Sequence, residues 1–124
     1  MAEWRDLTDR EQRCIESLLD ATNWADVWKI REIIGRVLDE YGSLALTTRG
    51  AWTDPDLKTS PIISAYFADD DGEGIPVGEI LLFEKDGFLT ELQIYRGDGL
   101  PLKGDFDPKR IFMIRQERLP DHLT

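Results

Sequence analysis

The chain has 124 residues, of which 41% are apolar and 32% are charged. This size and composition fit one domain, residues 1–124, with a core of its own. The net charge of −10 and the isoelectric point near 4.5 argue against binding to nucleic-acid phosphates or to an anionic membrane surface, because both need clustered Lys and Arg.

The N-terminal residues and the cysteine content indicate the compartment. The opening sequence MAEWRDLTDREQ lacks the apolar segment of a secretory signal. No apolar run approaches the ~20 residues of a membrane span. Cys14 is the only cysteine, so no disulfide forms within this chain. We therefore expect a cytoplasmic protein.

The first predicted element is a helix from about Thr8 to Ala21. Thr8 and Glu11 have the spacing of a capping box, in which each side chain bonds to the backbone of the other residue. Behind them, four apolar residues recur at helical spacing: Cys14, Ile15, Leu18 and Leu19. Within this stripe Cys14 is predicted to be a small buried side chain rather than a nucleophile.

Residues 23–48 fit two structures. In one, a single helix begins at Asn23 and continues through Leu38. In the other, a short helical turn near residues 24–30 precedes a hairpin with strands at about 33–38 and 43–48. The β-branched residues at positions 33, 34 and 37 favour the hairpin, as does Gly35, which costs a helix interior about 1 kcal/mol. The choice between helix and strand for residues 24–38 stays open.

Downstream, apolar runs separated by Gly, Pro and Asp predict further strands. They cover Ile62–Ala68, Ile75–Lys85, Phe88–Arg96 and Ile111–Glu117. The order of elements predicts an α+β fold in which an N-terminal helix packs on an antiparallel β meander of about five to six strands.

The dipeptide Asp86-Gly87 predicts a tight turn between the two central strands. A two-residue turn sets Leu81 opposite Leu92. A three-residue loop shifts the pairing by one residue and sets Leu82 opposite Leu92, which exchanges the faces of the sheet. In either register both faces carry apolar side chains. We expect one face to pack on the helix and the other to be covered by a loop or a second subunit.

The chain lacks the motifs of common catalytic and cofactor sites. The run Asp69-Asp70-Asp71-Gly72 resembles part of a calcium loop, but Phe67 and Gly78 stand where an EF-hand needs acids. One histidine, His122, and one cysteine are too few for a zinc site, and no phosphate-binding glycine motif is present. We therefore expect no metal, no cofactor and no enzymatic activity.

Two carboxylates, Glu79 and Glu91, are the remaining candidates for acid–base chemistry. They share a face of the sheet only in the shifted register, in which Glu79 lies opposite Tyr95. A solvated position at the rim of the sheet is the commoner explanation for such residues. A pocket that combined Glu79 or Glu91 with Arg96 would instead favour an enzymatic or ligand-binding domain.

Acidic residues are concentrated between Asp69 and Glu91. This stretch has eight acids and one base, a net charge of −7 out of −10. An acidic surface speeds encounter with a basic protein, and an aromatic side chain in a polar loop is a candidate anchor. The predicted partner-binding residues are Asp69, Asp70, Asp71, Glu73, Glu84, Asp86 and Trp52.

Short motifs between residues 42 and 102 resemble those of a small bacterial domain family of unknown function. In that family a segment beginning F-x-D-x-DG is followed by G-x-L-x-EL-x-I and a closing PL. The residues that carry the resemblance are Phe67–Gly72, Pro76-Val77, Gly87–Leu89, Glu91–Arg96 and Pro101-Leu102, with Gly42-Ser43-Leu44 ahead of them. The resemblance implies an α+β fold and a bacterial origin, and it carries no established catalytic residue.

Together these features predict a non-enzymatic, acidic binding protein. Its most concrete form is an immunity protein that neutralises a basic toxin domain, such as a nuclease, by occlusion; this rests on analogy in size, charge and compartment. One alternative is a small-ligand-binding or enzymatic domain with a pocket between helix and sheet. The other is a homo-oligomeric structural module, such as a homodimer that pairs through its second sheet face.

Overall fold

The computed structural model describes residues 3–22, 24, 27–50, 60–68, 77–97 and 108–121. These residues form one α-helix, two 3₁₀ turns and a seven-stranded antiparallel sheet. In chain order the elements are β1 (Arg5–Asp6), α1 (Asp9–Asp20), a 3₁₀ turn (Ile30–Glu32), β2 (Ile33–Val37), β3 (Leu44–Thr48), β4 (Pro61–Phe67), β5 (Gly78–Lys85), β6 (Phe88–Arg96), a second 3₁₀ turn (Pro108–Arg110) and β7 (Ile111–Gln116). The α+β class is confirmed, with seven strands rather than five to six.

The helix begins where the capping box predicted. The Glu11 backbone N–H donates to Thr8 Oγ1 at 3.2 Å, and the Thr8 N–H donates to the Glu11 carboxylate at 2.8 Å. The same carboxylate accepts two hydrogen bonds from the Arg5 guanidinium in β1. Burial raises the pKa of Glu11, but the bonds from Arg5 and Thr8 outweigh burial, so the pKa is lowered. The start of the helix is thereby tied to the first strand.

The favoured hairpin over residues 33–48 is confirmed, because β2 and β3 pair directly. A Cβ on Gly35 would lie 2.9 Å from Leu7 Cδ2, so a larger residue here would require the Leu7 side chain to move. The Asp39 carboxylate closes the turn by accepting the backbone N–H groups of Tyr41 and Ser43. The helical turn predicted near residues 24–30 is instead a 3₁₀ turn that begins at residue 30; residues 23, 25 and 26 lie outside the described part of the chain.

The strands do not follow meander order. Their order across the sheet is β1-β2-β3-β6-β5-β4-β7, so β3 lies beside β6 and β7 beside β4. Strands that follow one another in the chain do pair within β1–β3 and within β4–β6, as a meander requires, but β3 lies beside β6 and not beside β4. The Ser43 hydroxyl extends the β3–β6 contact, since it accepts the Ile94 N–H at 2.9 Å and donates to the Ile94 carbonyl at 3.0 Å.

The central hairpin has the two-residue turn that Asp86-Gly87 predicted. Lys85 pairs with Phe88, and the two turn residues have positive φ angles of 53° and 90°. Positive φ at both positions is the signature of a type I′ turn, whose twist matches that of the strands. The Trp28 indole N–H donates to the Gly87 carbonyl at 3.0 Å and fixes the turn from outside the sheet.

A β-bulge follows the turn and changes the register. Thr90 is an extra residue on β6, so that Phe83 pairs with Glu91 and Leu82 with Leu92. The pairing of Leu82 with Leu92 is that predicted for a three-residue loop. The two sequence-based registers are therefore both present, one on each side of the bulge.

One face of the sheet packs on α1, as expected. The buried cluster joins helix residues Cys14, Ile15, Leu18 and Leu19 to sheet residues that include Ile33, Leu46, Ile80, Leu82, Leu92 and Ile94. We call this side of the sheet the helix face and the opposite side the open face. Leu81 and Phe83 lie on the open face and remain partly exposed. Within the described residues, no helix is long and apolar enough to cross a membrane.

Two buried hydroxyls provide a test of this sheet. Ser43→Ala leaves the Ile94 backbone groups without their partner, and we expect it to lower the free energy of unfolding by about 1–3 kcal/mol. Thr90 is 2% exposed, and its hydroxyl has no hydrogen-bond partner. Thr90→Val should therefore be neutral or stabilising by up to about 1 kcal/mol. Urea unfolding of both variants measures the difference. Equal losses of unfolding free energy in the two variants would contradict the claim that the Ser43 hydroxyl stabilises the sheet and the Thr90 hydroxyl does not.

Candidate functional site

The antiparallel register gives the sheet two distinct ends. β4 ends at Phe67 and β5 begins at Gly78, next to the last residues of β6. We call this the Gly97 end, after the residue that follows β6. The turn at Asp86 marks the opposite end, which we call the Asp86 end. Because β5 has eight residues that rise about 3.3 Å each, the two ends lie roughly 25 Å apart.

The structure describes two of the predicted partner-binding residues. Glu84 and Asp86 lie at the Asp86 end. The other predicted residues lie outside the described part of the chain: Asp69, Asp70, Asp71, Glu73 and Trp52. The four acids among them belong to the connection from β4 to β5, which is attached to the Gly97 end, whereas Trp52 belongs to the β3–β4 connection at the other end.

Glu84 is buried and its charge is balanced within the chain. Its exposed fraction is 0%, and its Oε1 accepts a hydrogen bond from Arg118 Nη1 at 3.0 Å. Its Oε2 accepts the backbone N–H groups of Gly87 at 2.9 Å and Asp121 at 2.8 Å. Arg118 Nη2 also donates to the Ser60 carbonyl at 2.9 Å. The expected role of Glu84 is thus corrected, since this side chain links the hairpin turn to the C-terminal segment.

The sequence of β5 contains a signal for this burial. Ile80, Leu82 and Glu84 occupy alternate positions, so all three point to the helix face. From the sequence alone, the register of β5 against β6 was open, so these alternate residues could not be assigned to one face of the sheet. The arginine partner could not be found either, because Arg118 follows β7 and lies 34 residues further along the chain.

The net charge is unequal at the two ends of the sheet. The connections attached to the Gly97 end are residues 38–43, 68–77 and 97–110, which contain nine acids and three bases, a net charge of −6. The segments attached to the Asp86 end are residues 7–32, 49–60, 86–87 and 117–124, which contain eleven acids and seven bases, a net charge of −4. Most of the charge of −10 therefore belongs to segments that leave the sheet at the Gly97 end.

Four side chains form a row across the open face at the Gly97 end. The register pairs Glu79 with Tyr66 on one side and with Tyr95 on the other, and Phe112 continues the row beyond Tyr66. The rings of Tyr66 and Phe112 are 6.3 Å apart between centroids. An open groove of about 230 Å³ lies in this row and is lined by Tyr66, Val77, Gly78, Glu79, Tyr95 and Gly97.

Glu79 and the Tyr95 hydroxyl interact at this groove. Burial raises the pKa of Tyr95, and the negative charge of Glu79 and a hydrogen bond with its carboxylate raise that pKa further. Among the residues that the structure describes, Glu79 has no basic partner, whereas Glu11 and Glu84 each bind an arginine. The groove therefore contains a carboxylate whose charge the described residues do not balance.

Gly78 allows the strands to approach closely below this row. A Cβ at this position would lie 2.2 Å from the Tyr95 carbonyl oxygen and 2.6 Å from the Phe67 ring. Such distances are shorter than any ordinary contact, so a side chain at Gly78 would separate β5 from its neighbours. The position of Tyr95 next to Glu79 thus depends on this glycine.

The carboxylates considered for acid–base chemistry are too far apart to act together. Glu79 and Glu91 do share the open face, because Glu91 pairs with Phe83. Four residues of β5 separate Glu79 from Phe83, a distance of about 13 Å, whereas paired glycosidase carboxylates lie about 5–9.5 Å apart. Arg96 belongs to the helix face. The residues proposed for an enzymatic pocket therefore do not line one cavity.

Neither a metal cluster nor an activated thiol is found in the part of the chain that the structure describes. No three His, Cys, Asp or Glu residues there are placed to hold a metal ion; residues 69–72 and His122 lie outside it. Cys14 is 2% exposed, as predicted, and burial raises its pKa to about 12. A thiol with this pKa stays protonated near neutral pH and is a poor nucleophile.

Comparison with known families identifies the relatives of the chain. Residues 4–104 match the model of a family described as a domain of unknown function (DUF6984). The chain belongs to this family. The prediction of an uncharacterised family is confirmed, and the match extends the resemblance from residue 42 back to β1 and α1. Searches of curated proteins and of solved structures found no match.

The internal role of Glu84 can be tested by stability measurements. Glu84→Gln leaves Arg118, whose side chain is 25% exposed, without its counter-charge, and removing one member of a buried pair costs about 3–5 kcal/mol. Glu79→Gln is the matched control, which we expect to cost less than about 1 kcal/mol because no described base pairs with Glu79. Urea unfolding gives both values, and equal losses would refute a structural role specific to Glu84.

Proposed function

We propose that the protein is a non-enzymatic binding protein that docks a basic protein through the Gly97 end of its sheet. Its most concrete form is a bacterial, cytoplasmic immunity protein that occludes a basic toxin domain, such as a nuclease. The observation that carries the proposal is the half-buried carboxylate of Glu79, which lies between two tyrosines without a described basic partner. Because no described base balances this carboxylate, a cation supplied by another molecule would complete the arrangement.

The uneven charge supports this choice of surface. Segments with a net charge of −6 are attached to the Gly97 end, and such a concentration of one sign raises the association rate with a partner of the opposite sign by 10- to 1,000-fold. The effect is strongest at low ionic strength, because the Debye length is about 8 Å at physiological salt. Asp69, Asp70, Asp71 and Glu73 belong to these segments and keep their proposed role.

Apolar side chains at the same end supply the second component of an interface. Val37 and Leu38, which end the second strand and begin its turn, are 36% and 46% exposed. Protein interfaces typically combine a desolvated apolar centre with a polar rim. Trp52 and Asp86 are attached to the opposite end, and the docking proposal does not depend on them.

A homodimer is a second candidate, favoured by the open face. Leu81, Phe83 and Phe112 are only partly buried there and lie outside the core cluster. Pairing of two such faces would cover them. The solution mass separates the two proposals: a mass of twice the 14.3 kDa of the chain supports self-association, and a monomer at micromolar concentration contradicts it.

Two matched triple variants test the docking end. The partner is first captured from the native cytoplasm, identified and purified, and its association rate with the full chain is measured by stopped flow between about 0.05 and 0.5 M salt. Asp69→Asn/Asp70→Asn/Asp71→Asn should lower the rate at low salt by about tenfold or more and flatten its salt dependence. Asp54→Asn/Asp56→Asn/Asp86→Asn removes the same charge at the opposite end and should change the rate by less than about twofold.

Two outcomes would contradict the proposed function. Equal losses in the two triple variants would show that overall charge, and not the Gly97 end, governs association. A captured partner with an acidic contact surface would refute docking of a basic protein altogether.

A further inference from the structure

The groove at Tyr66, Glu79 and Tyr95 has the composition of a cation site. It combines a carboxylate with two aromatic rings on the neighbouring strands, and no described residue supplies a base to it. We propose that this groove binds the guanidinium group of a single arginine side chain presented by the basic partner. The inference rests on the proposed function and specifies which chemical group of the partner the protein recognises.

The strand spacing fits a cation between the two rings. Tyr66 and Tyr95 lie on β4 and β6, with β5 between them, so two strand spacings of 4.7–4.9 Å set their backbones about 9.6 Å apart. Rings that stand upright above their strands would place a cation midway between them about 5 Å from each ring. That distance is within the ~6 Å range of a cation–π contact. The open groove, with a volume of about 230 Å³, has room for the head group of an arginine side chain.

Glu79 supplies the charge that a guanidinium requires. An ionised carboxylate accepts about four hydrogen bonds, and Glu79 lies opposite Tyr95, whose pKa is raised by burial and by the negative charge of Glu79. The acceptor positions of a carboxylate allow the paired N–H donors of an arginine to bind both oxygens. A planar guanidinium also stacks on aromatic rings and loses its hydration more readily than an ammonium ion. Arginine therefore fits this groove better than lysine.

A small arginine derivative tests the site without the partner. N-acetylargininamide is titrated into the full-length, isotope-labelled protein, and the backbone amide signals are followed by NMR. We expect weak binding, with a millimolar dissociation constant, and shift changes concentrated at residues 65–67, 77–80 and 94–97. N-acetylcitrullinamide has nearly the same shape without the charge, and it should cause no saturable change. N-acetyllysinamide should bind more weakly than the arginine derivative.

Matched variants separate the groove from general acidity. Glu79→Gln should weaken binding of the arginine derivative by about tenfold or more, because it removes a charge-assisted hydrogen bond. Glu91→Gln removes the same charge from the same face, about 13 Å away, and should change the affinity by less than about twofold. Tyr95→Leu tests the aromatic wall and should also weaken binding. Amide spectra of the free variants show whether each one is folded.

The results distinguish failure of the arginine site from failure of the proposed function. Equal shifts with the citrulline and arginine derivatives, or equal losses in Glu79→Gln and Glu91→Gln, would overturn the arginine site. If Glu79→Gln left the affinity for a captured basic partner unchanged, the site would be overturned while docking of that partner stood. If the arginine derivative bound as expected but the partner docked at the Asp86 end, the proposed function would fail and the site would stand.

Discussion

The β-bulge at Thr90 determines which side chains the sheet buries and which it presents. A two-residue turn alone would continue the pairing of Lys85 with Phe88 along the hairpin and set Leu81 opposite Leu92. The extra residue shifts that pairing by one, so that Leu82 faces Leu92 on the helix face. Glu79 then belongs to the open face beside Tyr95. The tight turn and the apolar core are compatible only because of this one inserted residue.

The two carboxylates of β5 lie in opposite environments. Because side chains alternate between the two faces along β5, Glu84 lies on the helix face, where Arg118 and two backbone N–H groups donate hydrogen bonds to its carboxylate. Glu79 is an odd number of residues away, so it points to the other face. There a tyrosine hydroxyl meets its carboxylate, and no described base does. A buried ion pair fixes the hairpin to the C-terminal segment, and at the opposite end of the strand Glu79 has no basic partner among the described residues.

Local signals in the sequence predicted local structure well. The Thr8–Glu11 capping box located the helix start, and Asp86-Gly87 located the turn before β6, because each signal acts within a few residues. Strand order was not predictable in this way, since the β3–β4 connection brings β3 beside β6 across the sheet. The two-residue β1 has no pattern of its own. The row of Tyr66, Glu79 and Tyr95 could be predicted only in part. The shifted register placed Glu79 opposite Tyr95, but no local sequence signal placed Tyr66 beside them.

The central claim is that the partner docks at the Gly97 end. Hydrogen–deuterium exchange of the full chain, alone and with the captured partner, tests this claim most directly because it reports both ends of β5 and β6 in one experiment. The account predicts slower exchange on binding at residues 77–80 and 94–97, with little change at residues 85–89. Protection confined to residues 85–89, with none at the other end, would contradict it.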